Sequence, residues 1–223
     1  YLLCLGYECF AESFGGVKMK NIAPYQIFFP IGILCSILAV GVWFVQDLNW
    51  FSTPAIFIHS RLIVGGFLWS FIVGFLMTAI PRMTGTTTAN IYEFIVGIIL
   101  IVFQILQAWT LDGRWFYGTN ISIVAFLIFY GGRRIFKSVK PIPVFFSHVG
   151  LAMTLAIIGG FCHFQGNTYM GIHLYHVGPV LLLVLGIGTR FFSFLSGLPS
   201  EFENAPKAHH FIFHILGVSI AGF

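Results

Sequence analysis

Apolar residues run along this chain in blocks of about twenty, separated by short polar stretches rich in Gly, Pro, Lys and Arg. Each block is long enough to cross a bilayer as a helix. The blocks predict six full spans near residues 25–46, 56–80, 91–110, 116–132, 143–164 and 172–196, with a partial seventh from 209. The alternating apolar and polar pattern of a membrane barrel is absent. Pro24, Pro54 and Pro143 fall at span starts, where a missing N–H is tolerated, and Pro81 is expected to help end the second span. The fold class is therefore all-α, a polytopic transmembrane helix bundle over residues 23–223 behind an N-terminal tail of residues 1–22. Tyr1 opens the chain and Phe223 interrupts an apolar run, so the sequence reads as part of a longer one, incomplete at the C-terminus.

Composition agrees with this reading. The 223 residues are 58% hydrophobic and 8% charged, with 27 Phe and a mean hydropathy of +0.93. Soluble domains carry about 25% charged residues. The pI of about 9 does not point to nucleic acid, because the cations lie in short connections between spans. Counted by side, the tail and the even-to-odd connections hold Lys18, Lys20, Arg82, Arg133, Arg134, Lys137, Lys140 and Lys207, with Arg190 close to them. The opposite side has only Arg61 and Arg114. Positive charge concentrates on the cytoplasmic side, so the N-terminus and the stretch "GGRRIFKSVKP" are expected there. The cysteines form no CxxC pair, and Cys35 and Cys162 read as buried apolar residues.

Eight histidines carry the candidate chemistry. The orientation places His59, His163, His173 and His176 at the outer side. It places His148, His209, His210 and His214 at the inner one. Gly66, Ser70, Gly74 and Thr78 recur every four residues in span two, a stripe that lets helices approach closely in lipid. His59 projects within about 20° of that stripe on an ideal helix, so it should face protein. His173 and His176 stand three apart on one expected face, just above a kink expected at Pro179. A haem would need imidazoles from facing helices, which His59 with His173 or His176 could supply. Copper would need two or three converging imidazoles, which His163, His173 and His176 could supply. Gln104 and Gln107, inside span three, could bond the second nitrogen of such a ligand. His209, His210 and His214 have metal-ligand spacing but lie at a basic edge. Arg190 either snorkels to the headgroups or pairs with a carboxylate such as a haem propionate.

Two segments carry a family resemblance. "HSRLIVGGFLWSFIVGFLMTAIPRMTG" resembles a signature of the NnrS family of haem- and copper-containing bacterial membrane proteins, with Gly74, Phe75, Leu76, Thr78, Ala79, Pro81, Thr84 and Gly85 in register. "IHLYHVGPVLLLVLGIGTRFFSFLSG" resembles the second signature through His173, Val177, Gly178, Leu185, Gly186, Thr189, Arg190 and Gly197. "APYQIFFP" and "PIPVFFSHVGLAM" are similar to two further family segments, the latter placing His148 on a family histidine. The resemblance implies cofactor binding by His59, His148 and His173, a functional Arg190, haem b with copper as a second cofactor, and a role in tolerance of nitric oxide and nitrosative stress. It also implies a bacterial inner membrane setting, with nitric oxide or respiratory and denitrification membrane proteins as partners. The sequence departs from the pattern where the family has a second histidine and an acid, here Arg61 and Leu62, and where it has a later histidine, here Leu195. His163 and His176 match no family histidine.

Two other readings stand beside this one. Histidines and buried glutamines could form the polar path of a proton-coupled transporter or channel component, or the bundle could be a cofactor-free assembly scaffold. The chain shows no serine or cysteine nucleophile constellation and no paired carboxylates, so enzymatic activity is left open and any chemistry would be the metal's.

Overall fold

The computed structural model describes residues 22–46, 48, 50, 52–142 and 146–186 of the 223. These residues are helical, with no strand among them. Helix α1 runs Tyr25–Gln46, α2 Ala55–Thr84, α3 Ile91–Gln107, α4 Arg114–Ile135, α5 Phe146–Phe164 and α6 Thr168–Gly186. All but α3 are at least 18 residues long and apolar enough to cross a membrane. At 17 residues, α3 is about 26 Å long, slightly under the roughly 30 Å hydrocarbon core. The bundle of about six spans is thus present, while Pro143, residues 187–196 of the sixth predicted span and the predicted seventh lie outside the described residues.

Successive helices run antiparallel, so two ends of the bundle can be named inner and outer after the charge bias. Arg82, Arg133, Arg134, Lys137 and Lys140 gather at the inner end, where the Lys140 ammonium donates to the Arg82 carbonyl at 3.3 Å and the Ser138 hydroxyl to the Thr84 carbonyl at 3.3 Å. Arg61 bonds the Thr110 carbonyl at the opposite end.

The second span overruns its expected stop. Pro81 lies inside α2, which continues to Thr84 and closes on Gly85 in the left-handed conformation (φ 68°). A proline at this point leaves the carbonyl four residues earlier, that of Met77, without its helical donor. The Tyr130 hydroxyl of α4 donates to it at 2.7 Å. A partner from another helix therefore lets α2 run through its proline, which no local reading of the sequence contains.

The small-residue stripe of α2 lies against α1 as expected. Gly66 meets Cys35, Gly74 meets Phe28 and Phe29, and Ser70 is fully buried. The Thr78 hydroxyl donates to the Gly74 carbonyl at 2.8 Å and accepts the Tyr25 backbone N–H at 3.3 Å. Beyond α2 the helices pack in chain order, α3 on α4, α4 on α5 and α5 on α6, with α4 also against α2. Cys35 is buried as expected, whereas Cys162 is only half-buried.

Polarity is inverted relative to a soluble protein. Ile37, Phe44, Phe103, Leu106 and Phe129 are exposed, while Gln104 and Asn120 are fully buried. That is the arrangement lipid selects, since apolar side chains can face hydrocarbon and polar ones cannot.

Candidate functional site

The outer end of the bundle is built from α4, α5 and α6. Helix α5 ends at Phe164, and Gly166 (φ 86°) turns the chain back. Asn167 caps α6, accepting the Met170 N–H at 3.3 Å. After one α-helical turn, α6 widens into a π-helix over Ile172–Val177. Pro179, two residues on, cannot donate to the backbone and crowds the Tyr175 carbonyl. The wide turns lie directly before the proline at which the sequence places a kink.

The π-helix changes what the two histidines of "GIHLYHVG" do. At i→i+5 bonding each turn holds roughly one residue more than the 3.6 of an α-helix, so residues three apart diverge by roughly 120° instead of about 60°. His173 and His176 therefore do not share a contact. The His173 ring stands edge-on to Tyr169 at 4.8 Å between centres, and its Nδ1 is buried with no hydrogen-bond partner. The His176 ring meets His163 of α5 instead, at 5.5 Å and 33° between planes.

His163 is the centre of the cluster. It is buried, its ring lies parallel on Tyr117 at 4.0 Å and 4°, and its Nε2 has no hydrogen-bond partner among the described residues. Its other face closes on Gly171, where a Cβ would overlap the imidazole. Tyr175, fully buried between the two histidines of α6, stands edge-on to both Tyr117 (5.5 Å, 86°) and His163 (6.0 Å, 89°). Trp69 of α2 lies behind Tyr175 at 6.5 Å. This close approach rests on Gly159, where a Cβ would overlap the Tyr175 backbone nitrogen.

Two imidazoles bound to one ion at about 2 Å place their ring centres about 5 Å apart. The 5.5 Å between His163 and His176 suits a single ion held by both, and neutral imidazoles suit copper or zinc. It does not suit a porphyrin between them: the α5 and α6 backbones touch at Gly159, and no macrocycle fits that gap. Among the described residues, no group of three or more His, Cys, Asp and Glu converges as a complete ligand set, so the pair would need further ligands from solvent or from outside those residues.

The other expected residues fall elsewhere. His59 faces α1, as the stripe predicts: its Nδ1 lies 2.9 Å from the Ala39 carbonyl and its ring 5.6 Å from Trp43. That bond requires the proton on Nδ1 and leaves Nε2 as the nitrogen with a lone pair, the state in which a histidine binds a haem iron. His59 and His173 lie at one end of the bundle but on different sides of it. An apolar cluster of Ala39, Ile58, Leu62 and Phe116, with Tyr117 against it, fills the space beside His59 toward α4. The ring partner of His59 is Trp43 of α1, and that of His173 is Tyr169 of its own helix. His148 is buried near the inner end of α5. Arg190, His209, His210 and His214 lie outside the described residues. Among the described residues, Gln104 and Gln107 bond no histidine: Gln107 accepts from Thr119 at 3.2 Å, and the Gln104 amide meets Gly65 with no hydrogen bond. Arg61, where the second family histidine would stand, donates to the Thr110 carbonyl at 2.6 Å and lies over Phe116, so it braces the α3–α4 connection.

The register of both signatures with these elements is matched at the level of the whole sequence, since the family model for the NnrS protein aligns with residues 22–223. The chain belongs to the NnrS family. No curated protein and no solved structure matches it. As an NnrS-family chain it keeps the signature histidines His59 and His173, yet its tightest histidine pair, His163 with His176, lies off the signature. Tyr117 and Tyr175 were not legible as site residues. Their only signal was an aromatic between two histidines and another at the head of the fourth span.

Proposed function

We propose that this NnrS-family membrane protein holds a copper ion at its outer end between His163 and His176 and serves in protection against nitric oxide and nitrosative stress in a bacterial cytoplasmic membrane. The observation that carries the metal site is the ring pair at 5.5 Å, His163 buried and His176 half-buried, with no hydrogen bond to the Nε2 of His163 among the described residues and Tyr117 stacked on its face. A copper ion there supplies one-electron exchange and an open coordination position. The chain's part is to hold His163 in one plane between Tyr117 and Gly171, and to keep water from it with Tyr175. Haem b, implied by the family, is assigned to His59, whose bond to Ala39 fixes the required tautomer.

Purified protein loaded with copper and with haem tests this directly. Wild type should retain copper, and His163→Ala and His176→Ala should each lower copper affinity by tenfold or more without touching a Soret band. His59→Ala should remove that band and spare the copper. A pure, folded protein that takes up neither cofactor would end the proposal. The nitric oxide role is read from growth under a nitric oxide donor, where the two copper-site variants should fail to protect.

A second reading has one observation in its favour. Gln104 and Asn120 are fully buried in adjacent spans, and neither side-chain amide has a hydrogen bond among the described residues. A polar path for protons would use such groups. Proton flux in liposomes that falls in Gln104→Leu, with no copper bound by wild type, would favour it.

A further inference from the structure

The inner end carries a second feature that the outer site does not use. A cleft of about 460 Å³ opens where α1 begins, α2 ends and α3 begins. Met77, Ile91 and Phe94 contribute apolar walls, and Thr78, Arg82 and Asn90 polar ones. Helix ends lie at the level of the lipid headgroups, so the cleft combines an apolar interior with a cationic edge where bilayer gives way to water.

Its charge is one-sided. The Arg82 side chain is exposed, and no hydrogen bond or ion pair among the described residues engages its guanidinium. The Lys140 ammonium lies against the Arg82 carbonyl at 3.3 Å, so a second cation stands beside Arg82, just outside the residues that line the cleft. Among the described residues, no Asp or Glu lines the cleft. The nearest acid, Glu93, is held by Arg134 at 2.8 Å and 3.0 Å and approached by Arg133 at 4.0 Å, so its charge is already answered. The polar groups of Asn90 and Thr78 are bonded to Glu93, Gly74 and Tyr25. Arg82 is thus the cationic donor of the cleft, with the Asn90 side-chain N–H beside it in the lining.

We propose that this cleft binds the headgroup of an anionic phospholipid, its phosphate on Arg82 and Lys140 and its glycerol end against Met77 and Phe94. The shared chemistry is that of any phosphate monoanion or diester. The apolar walls and the position at the membrane edge select the lipid over a soluble ion.

The experiment is native mass spectrometry of the full chain released from bilayers of mixed phosphatidylglycerol and phosphatidylethanolamine. Wild type should retain phosphatidylglycerol preferentially. Arg82→Gln and Lys140→Gln should each retain about fivefold less, the effect of one cation at an anionic surface, with phosphatidylethanolamine unchanged. Ala89→Phe, which fills the cleft without altering charge, should also lower retention. Lys140 is exposed, so its variant keeps the test valid should Arg82→Gln fail to fold. Unchanged phosphatidylglycerol in Lys140→Gln and Ala89→Phe overturns the proposal. Equal displacement by millimolar inorganic phosphate also overturns it, by making this a soluble-anion site.

Discussion

At the scale of single residues, the decisive positions are those where one atom more or less changes which groups touch. Gly159 lets the α6 backbone approach α5 closely enough for His176 to reach His163. Gly159→Leu should force the helices apart at a cost of about 1–3 kcal/mol. A lowered melting temperature in detergent should accompany loss of bound copper. Gln104 is the opposite case. Its amide is fully buried and unbonded, which costs about 1–3 kcal/mol relative to a satisfied or apolar side chain. Gln104→Leu should therefore raise the melting temperature. If it lowers it instead, the amide makes bonds in the membrane that the helices themselves do not supply. The sequence showed both residues, yet gave no means of telling an essential glycine from a tolerated one, because the backbone each faces is far away in the chain.

At the scale of elements, the inner connections are held by one arginine. Arg134 forms a two-point pair with Glu93, donates to the Thr87 and Thr88 carbonyls at 3.2 Å, and lies 3.7 Å over the Tyr130 ring. Glu93 at the same time closes a capping box with Asn90, accepting its N–H at 2.9 Å while Asn90 accepts that of Glu93 at 2.8 Å. The sequence suggests the helix start from Glu93 and counts Arg134 only as a topogenic charge. It is buried, and removing its partner leaves an unanswered cation. Glu93→Gln should destabilise the bundle by about 3–5 kcal/mol, and it should open residues 85–90 to proteolysis in inside-out vesicles. Arg133→Gln, exposed and 4.0 Å from Glu93, should do neither. The π-helices belong to this scale too. Leu62–Leu68 and Ile172–Val177 look like ordinary apolar helix in the sequence, and the phase they lose decides which neighbour each histidine meets.

At the scale of the whole molecule, topology is the testable quantity. Cysteine placed at Lys137 should react with a membrane-impermeant thiol reagent only from the cytoplasmic side, and cysteine placed at Asp112 only from the outer side. Both positions are exposed. Labelling of both from the same side would overturn the antiparallel arrangement of α4 with its two connections. Reversed labelling would invert the bundle and bring the histidine cluster to the cytoplasmic side.

The sequence by itself determined the fold class, the spans and the small-residue stripe, because these follow from local hydropathy and from i, i+4 spacing within one helix. It also carried the family, through signatures that lie within single helices. Tertiary structure alone decided that Pro81 does not end α2, since the Tyr130 hydroxyl that answers the Met77 carbonyl comes from another helix. It alone decided that His163 pairs with His176 while His173 and His59 stand apart. That choice depends on the close approach at Gly159 and on the widened turn before Pro179. Both are set by contacts between helices, which no spacing along one helix can express.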